Sequence, residues 1–240
     1  MLKILAIIPA RAGSKRLPKK NIRLLADKPL LVWSIDVVKG VDCIVDILVS
    51  TDSPEMAKIA SDAGALVPWL RPEILATDTA SSVDVCLHAL DWYETHKGHV
   101  DGVLLLQPTS PFRREASIKQ ILQFYSKNKP CSVLSVSPVQ SHPAWCFRVQ
   151  NNTLEPWISA DRLHVRSQDL ESAYSVNGCM YLISPELLRQ HHAFYLENGK
   201  TIPFVMDSLF ETIDIDTGED WILAEMIAAY WDALQKKVAI

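Results

Sequence analysis

Short, continuously apolar segments alternate with amphipathic ones along most of the chain, and this alternation restricts its fold more than any other feature. The first apolar segment, residues 2–8, is rich in β-branched side chains, which is typical of a strand buried on both faces. A loop follows, and Leu31, Ile35 and Val38 then recur at helical spacing before Gly40. The chain is therefore predicted to open with a strand, a loop and a helix.

The same order of elements recurs through the rest of the sequence. Further strands are predicted over residues 43–50, 102–106, 132–136, 178–183, 203–206 and 212–216. Further helices are predicted over residues 53–64 and 82–96, around 118–125, after 185 and from 223 to 234. Alternating strands and helices indicate an α/β fold with a mostly parallel sheet and helices on both faces. The length of 240 residues suits a single domain over 1–240.

Residues 137–175 interrupt this regular alternation. They include three prolines and three aromatic residues without clear periodicity, namely Pro138, Pro143, Pro156, Trp145, Phe147 and Trp157. A structureless insertion of this length is uncommon inside a compact domain. We expect these residues to form an excursion with strands of its own, which packs against a surface outside the core. A second subunit is the natural candidate for that surface.

Charge and apolar content exclude several classes of protein. The net charge of −4 argues against a general nucleic-acid binder, which presents a basic surface. The N-terminal apolar run stops well short of the roughly 20 residues that a membrane span needs, and no signal peptide is recognisable. The five cysteines form no C-x-x-C pair, which suits buried, reduced thiols. A cytoplasmic protein with no nucleic-acid or membrane partner is expected.

The loop after the first strand concentrates positive charge in an acidic protein. Six cations and no acid occur between residues 11 and 23, namely Arg11, Lys15, Arg16, Lys19, Lys20 and Arg23. Ligands of open parallel sheets bind beyond the carboxyl ends of the strands, where this loop lies. With Gly13 as its one glycine, the loop has to rely on side-chain cations rather than backbone amides to hold phosphate. The alternative is a solvated basic loop.

A pair of aspartates, Asp214 and Asp216, alternates with Ile213 and Ile215 in the predicted last strand. Alternation places both carboxylates on one face and both isoleucines on the other. Two carboxylates beside phosphate-binding cations are typical of a site for Mg²⁺, which binds one or two carboxylates together with phosphate oxygens. The alternative is that Asp216 or Thr217 caps the following helix.

Three polar residues follow other predicted strands and have less certain roles. Asp52 ends the second strand and either faces the site or begins a helix. Gln107 and Ser110 follow the buried strand 102–106, where polar side chains serve ligands or turns. No Ser–His–Asp or Cys–His arrangement is present, so the sequence does not support covalent catalysis.

Taken together, these segments resemble the acylneuraminate cytidylyltransferase family, which comprises the CMP-sialic acid synthetases and their legionaminate and pseudaminate relatives. The resemblance covers nearly the whole chain and rests on five segments in the family's order: IIPARAGSKRLPKKN, Arg71-Pro72 with residues 77–82, LLQPTSPFR, Asn177-Gly178 and IDIDT. The first loop differs from that of the similar Kdo cytidylyltransferases, which departs after the shared Pro-Ala-Arg.

The resemblance implies a Rossmann-like nucleotide-diphospho-sugar transferase fold and an enzyme that transfers CMP from CTP to the anomeric hydroxyl of an N-acylneuraminate-type sugar, releasing pyrophosphate. It implies that the nucleotide is bound by Arg11, Ser14, Lys15, Lys20, Asn21, Arg71, Ser82 and Gln107. It also implies that Asp214 and Asp216 bind Mg²⁺, with Mn²⁺ as an alternative ion. Catalysis would then depend on both aspartates together with Arg11, Lys15 and Lys20.

For the acidic sugar, the resemblance implies contacts from Gln107, Asn177 and Tyr181, and a homodimer in which the excursion reaches the partner's sugar site. Sialic acid synthetases commonly have arginines at the positions of Ser167 and Ser175, so Arg162 and Arg166 are the substitutes that this chain offers. The acceptor therefore stays open between N-acylneuraminate, legionaminate and pseudaminate, with Kdo as a more distant alternative. A nucleotide-sensing protein without catalysis is the remaining alternative.

Overall fold

A six-stranded sheet forms the centre of the fold in the computed structural model, which describes residues 2–197, 199–231 and 233. The strands of this part of the chain are β1 (Ile4–Pro9), β2 (Leu24–Leu25), β3 (Lys28–Pro29), β4 (Ile44–Ser50), β5 (Gly102–Leu105), β6 (Ser132–Pro138), β7 (Phe147–Gln150), β8 (Thr153–Pro156), β9 (Tyr174–Ile183) and β10 (Thr201–Val205). The helices are α1 (Leu30–Asp36), α2 (Pro54–Asp62), α3 (Ser82–His96), α4 (Glu115–Asn128), α5 (Pro185–His191) and α6 (Gly218–Ala228).

The central sheet has the strand order β10-β6-β9-β5-β1-β4. Strand β1 pairs in parallel with β4 and β5, and β10 pairs in parallel with β6. Strand β9 is antiparallel to β5 and β6. The predicted mostly parallel sheet is thus confirmed, with β9 as the exception. Because β9 runs the other way, its first residues lie at the same sheet edge as the last residues of β1, β4, β5 and β6.

Helices cover both faces of the sheet, as predicted. Ile4, Ala6 and Ile8 of β1 are fully buried in one cluster with apolar residues of α1, α2 and α4. Leu5 and Ile7, which point the other way, are buried with apolar residues of α3 and α5. This alternation explains why strand β1 is continuously apolar. None of the described helices is both long and apolar enough to cross a membrane.

The prediction of a strand over residues 212–216 is wrong. The segment belongs to no sheet, and the backbone N–H of Ile215 instead donates to the carbonyl of Thr109 at 2.8 Å. The strand-like alternation has another cause, because Ile215 is fully buried in a third apolar cluster with Phe112 and Trp221. The isoleucine anchors the segment while its polar neighbours face the other way.

The last predicted helix ends earlier than expected. Helix α6 ends at Ala228, and Tyr230 follows it with 69% of its surface exposed. Leu234 lies outside the described residues, as do the outermost positions of the predicted domain 1–240.

The excursion predicted over residues 137–175 contains its own antiparallel hairpin, formed by β7 and β8. Several of its large apolar side chains are exposed, among them Val149, Leu154, Trp157 and Ile158. It also carries Cys146, which is exposed and so contradicts the expectation that all cysteines are buried. We name residues 137–175 the arm. Cys146 is exposed because it lies in the arm and not in the core.

Tight packing at the start of β5 gives a test of the fold. A Cβ added at Gly102 would lie 2.7 Å from Cδ1 of Ile4 and 3.2 Å from the Tyr125 ring. We predict that Gly102→Ala lowers the free energy of unfolding by about 1–3 kcal/mol, because overpacked cores are strained. Urea unfolding measures it, with Gly218→Ala as the control, since nothing lies within 4 Å of a Cβ there. Equal stability of the two variants would contradict this packing.

Candidate active site

A cleft of about 520 Å³ lies at the sheet edge where β1, β4 and β5 end. It is lined by ten of the residues that the sequence singles out: Arg11, Ser14, Lys15, Lys20, Asn21, Arg71, Ser82, Gln107, Asp214 and Asp216. These residues come from segments up to 205 positions apart in the chain, from residue 11 to residue 216. The fold therefore brings the cationic loop and the aspartate pair into one cleft.

The cationic loop is held in shape by two side chains beneath it. The Asp52 carboxylate accepts a hydrogen bond from the backbone N–H of Ala12 at 2.8 Å. The amide of Asn21, which is buried, donates to the carbonyl of Arg11 at 3.0 Å. Helix α2 is instead capped by Ser53, whose hydroxyl accepts from Met56 N. Asp52 therefore supports the loop and does not begin the helix.

Two of the loop's cations form ion pairs with an acid from the segment that precedes α3. Arg11 Nη1 is 2.7 Å from Asp78 Oδ1, and Lys15 also forms an ion pair with Asp78. Hydrogen bonds from Lys15 and Arg11 hold the pKa of Asp78 below its usual value. All three side chains are solvent-accessible, and ion pairs of this kind contribute little to stability. An anionic ligand could replace Asp78 as the partner of both cations.

Lys20 differs from the other loop cations because it is buried. Its ammonium donates to the carbonyl of Ile215 at 2.7 Å and to Asp216 Oδ1 at 2.9 Å. Arg16 approaches the other carboxylate oxygen of Asp216 at 3.5 Å. Lys20 thus joins the loop after β1 directly to the aspartate pair.

The aspartate pair is positioned by the residues between and around it. Thr109 accepts from Ile215 N and its side chain hydrogen-bonds Asp214. Burial in the cleft raises the pKa of Asp214, and repulsion from Asp216 raises it further, against the opposing effects of Thr109 and Lys20. Asp214 keeps some exposed surface, so its carboxylate is accessible from the cleft.

The alternative role for Asp216 as a helix cap does not hold. Thr217 is the cap of α6, and it forms a reciprocal capping box with Asp220. The backbone N–H of Asp216 also donates to Asp220 at 3.0 Å. The Asp216 side chain is therefore not used by the helix.

Arg71 and Ser82 line the far wall of the cleft. The Arg71 guanidinium is buried and donates from Nε to the Ser50 hydroxyl at 3.0 Å and from Nη2 to the Ser50 carbonyl. Burial lowers the pKa of Arg71. Ser82 is the first residue of α3, where free backbone N–H groups and the helix dipole favour electron-rich ligand atoms.

A second cleft of about 440 Å³ adjoins the first and shares Gln107 and Asp214 with it. Its other lining residues are Ser137, Pro138, Gln140, Ser175, Val176, Asn177, Gly178, Tyr181, Leu209 and Thr212. Asn177 and Tyr181, which the sequence singles out for the sugar, are therefore both present. Asp214 is the one charged residue of this lining.

Asn177 is fixed by its neighbours in the second cleft. Its Oδ1 accepts from the Ser135 hydroxyl at 2.6 Å and from Cys179 N at 3.1 Å. Its Nδ2 donates to the Ser137 hydroxyl at 2.9 Å. Next to it, Gly178 has a φ of +74°, and a Cβ there would lie 3.1 Å from Gln107 Oε1. Glycine thus permits both the backbone conformation and the approach of Gln107.

The structure does not bring Arg162 and Arg166 into either cleft of the same chain. Both are exposed and lie in the arm between β8 and β9. Ser175 lines the second cleft, whereas Ser167 lies in an exposed turn of the arm. The predicted sugar residues are thus divided between the second cleft and the arm.

Comparison with known proteins identifies the family to which this chain is similar. A family model described as cytidylyltransferase matches residues 5–218. Over 228 residues the chain is 42% identical to the CMP-N,N'-diacetyllegionaminic acid synthase of Legionella pneumophila, covering 94% of this chain and 96% of the relative. It is 35% identical over 224 residues to the N-acylneuraminate cytidylyltransferase of Streptococcus agalactiae, covering 92% of this chain and 52% of the longer relative.

Solved structures share the fold at low sequence identity. The structure of a CMP:2-keto-3-deoxy-manno-octonic acid synthetase complexed with CTP aligns with a TM-score of 0.68 at 17% identity, covering 95% of this chain and 98% of that one. A 4-diphosphocytidyl-2C-methyl-D-erythritol synthase from Anaerococcus prevotii aligns with a TM-score of 0.64 at 16% identity, covering 95% and 99%.

Fold and family together define an enzyme of the nucleotidyltransferase class. The chain belongs to the cytidylyltransferase family, which confirms the resemblance seen in its sequence.

The raised pKa of Asp214 predicts how activity responds to acid. If Asp214 binds Mg²⁺ as the sequence predicts, kcat/KM for CTP should fall at low pH with a limb above the usual aspartate value of 3.8, because protonation would remove one of the ion's carboxylate ligands. The ion binds the ionised form, so more Mg²⁺ should shift the limb to lower pH. Rate profiles at two Mg²⁺ concentrations test this, and a limb that does not move with Mg²⁺ would contradict it.

Proposed function

We propose that this chain is a CMP-nonulosonate synthetase, which transfers CMP from CTP to the anomeric hydroxyl of an N-acylated nonulosonic acid and releases pyrophosphate. One observation carries the proposal: two adjoining clefts share Gln107 and Asp214, and they differ sharply in charge. The first has five cations and two aspartates, whereas the lining of the second is neutral apart from Asp214. The first suits a triphosphate and its metal ion, and the second suits a polar, uncharged sugar ring.

The charges of the first cleft support CTP as the donor. Arg11, Lys15 and Lys20 come from one loop, and Asp78 is an exchangeable partner for two of them. A triphosphate would replace the Asp78 carboxylate and gain charge-assisted hydrogen bonds from both cations. The start of α3 at Ser82 and the buried Arg71 lie on the other wall, where the nucleoside would bind.

The donor set of the aspartate pair fits Mg²⁺. Both groups are hard carboxylate oxygens beside the proposed phosphate site, and Mg²⁺ usually takes one or two carboxylates together with phosphates and waters. No cluster of three or more His, Cys, Asp and Glu residues that could hold a metal exists within residues 2–197, 199–231 and 233. Asp214 and Asp216 would therefore hold the ion only in combination with the nucleotide. Bound there, the ion would supply neutralisation of phosphate charge.

The chain's own residues would act by positioning and by charge. The anomeric oxygen of the acceptor attacks the α-phosphorus of CTP, the bond from that phosphorus to the bridging oxygen of pyrophosphate breaks, and CMP is joined to the sugar. Arg11, Lys15 and Lys20 would take up the charge that builds on the departing pyrophosphate. Gln107 lies between the two clefts, so it would orient the acceptor against the α-phosphate.

For the acceptor, we favour a legionaminate-type sugar over N-acetylneuraminate. The Legionella relative matches along nearly its full length at higher identity than the streptococcal one. Ser167 and Ser175 stand where sialic acid synthetases commonly have arginines, so this chain lacks that grip on the sialic acid. Leu209 and Val176 form an apolar part of the wall of the second cleft. This surface suits a deoxygenated or N-acylated substituent better than free hydroxyls.

A homodimer would complete the acceptor site. The second cleft provides no cation for the acceptor's carboxylate. Arg162 and Arg166 lie on the arm, whose apolar side chains are exposed in the single chain. Pairing of two copies through the arm would bury these side chains and carry the arginines towards the partner's second cleft.

A panel assay tests the donor and the acceptor together. With Mg²⁺, we predict pyrophosphate release from CTP and N,N'-diacetyllegionaminate, slower release with N-acetylneuraminate, and little with pseudaminate or Kdo. Mass spectrometry should find the CMP-sugar. Preference for Kdo, or for another nucleoside triphosphate, would contradict the proposal. CTP binding without pyrophosphate release from any acidic sugar would indicate a nucleotide sensor instead.

Substitution of the aspartate pair tests the proposed metal site. We predict that Asp214→Asn and Asp216→Asn each lower kcat by about hundredfold or more, since even residues that only support metal ligands cost 10- to 100-fold. Asp62→Asn, on the exposed side of α2, is the matched control and should keep full turnover. Near-normal turnover of both site variants with CTP and Mg²⁺ would show that the assignment is wrong.

A further inference from the structure

Arg113 is a buried cation that lines neither cleft. Only 3% of its surface is exposed. It follows the turn formed by residues 107–110, in which Ser110 N donates to the carbonyl of Gln107 at 3.2 Å. Burying a guanidinium is costly unless its donors are satisfied, so its partners indicate what it is for.

The guanidinium is satisfied by four hydrogen bonds to neutral groups. Two bind the turn, from Nη2 to the Gln107 carbonyl at 2.7 Å and from Nη1 to the Ser110 carbonyl at 2.5 Å. One runs from Nε to the carbonyl of Cys179 in β9 at 2.6 Å. The last runs from Nη1 to the Ser34 hydroxyl of α1 at 2.9 Å. Arg113 thus ties the turn after β5 to β9 and to a helix.

The backbone carbonyls that Arg113 binds belong to the two segments that carry proposed site residues, the turn after β5 and strand β9. Gln107 belongs to both clefts, and Thr109 in the same turn contacts Asp214 and Ile215. Cys179, whose carbonyl accepts from Arg113, also donates its backbone N–H to Asn177 Oδ1. The guanidinium therefore lies behind the wall that the two clefts share.

We propose that Arg113 is a positioning residue, which fixes the turn that carries Gln107 relative to the strand that carries Asn177 and so sets the acceptor's approach to the nucleotide. Arginine suits this role because its planar fork presents donors in several fixed directions, whereas lysine has a single ammonium. This inference rests on the proposed binding role of Gln107.

A double-mutant cycle tests the proposal. Arg113→Lys keeps the charge but loses the fork, and we expect kcat/KM for the acceptor to fall by about 10- to 100-fold, as for residues that orient functional groups. Gln107→Ala should cause a similar loss. Both changes act through the Gln107 side chain. The kcat/KM of the double variant should therefore equal that of the less active single variant, within about twofold.

Two controls separate positioning from general stability. Ser34→Ala removes the one Arg113 partner that lies outside both the turn after β5 and strand β9, and it should lower the Tm while leaving kcat/KM within about twofold. Combining Arg113→Lys with Ser82→Ala, on the nucleotide wall, should give losses that multiply.

The outcomes distinguish this inference from the proposed function. If Gln107→Ala is as active as the unmodified chain, the proposed role of Gln107 is wrong and this inference is rejected with it. If Gln107→Ala is impaired but its loss multiplies with that of Arg113→Lys, the positioning role alone is overturned. Arg113→Gln is the second variant in case the lysine form does not fold, and failure of both to fold would also reject the proposal, since Arg113 would then be a core-stabilising residue.

Discussion

The site depends on the contact between the Lys20 ammonium and the segment that carries the aspartates. Lys20 is buried, and it donates both to the Ile215 carbonyl and to Asp216, almost 200 residues further along the chain. A buried ammonium requires acceptors, and here the segment with Ile215 and Asp216 supplies them by packing against the loop after β1. The same contact places a carboxylate pair next to the cations that we propose to bind phosphate. Without it, the two halves of the proposed metal–nucleotide site would be separate loops.

The direction of one strand explains how the two clefts meet. Parallel strands present their carboxyl ends at one sheet edge, which gives the first cleft its loops after β1 and β5. The antiparallel β9 brings its early residues to that edge, and Asn177 and Gly178 thereby face Gln107. Under the proposed function, an acceptor in the second cleft would approach the donor across Gln107 and Asp214. This geometry suits transfer between two bound substrates rather than through a covalent enzyme intermediate.

Much of the lining of the first cleft was predictable from sequence. Its cations directly follow a buried strand, which is a local signal, whereas Arg71 and Ser82 are identified by the family resemblance. The strand predicted over residues 212–216 was wrong because Ile215 alternates with aspartates for another reason, its burial beside Trp221. A two-residue period records which side chains are buried, but it does not show that a neighbouring strand is present.

Other features depend on contacts that no local pattern reveals. The sequence alone does not decide whether Asp52 faces the site or begins a helix, and in the structure it holds the cationic loop through Ala12. Arg113 looks like a surface charge beside Arg114, yet it is buried behind both clefts. Thr109 could have been found, since it shares the end of a buried strand with Gln107. The antiparallel course of β9 follows from tertiary pairing, which short apolar segments do not encode on their own.

We propose that the acceptor's anomeric oxygen attacks the α-phosphorus of CTP in the shared space between the clefts. Labelling that anomeric oxygen with a heavy isotope tests this attack most directly, by mass spectrometry of both products after one turnover. We predict that the label is retained in the oxygen that joins the sugar to CMP, and that pyrophosphate is unlabelled. Label lost from the CMP-sugar, or found in pyrophosphate, would contradict it.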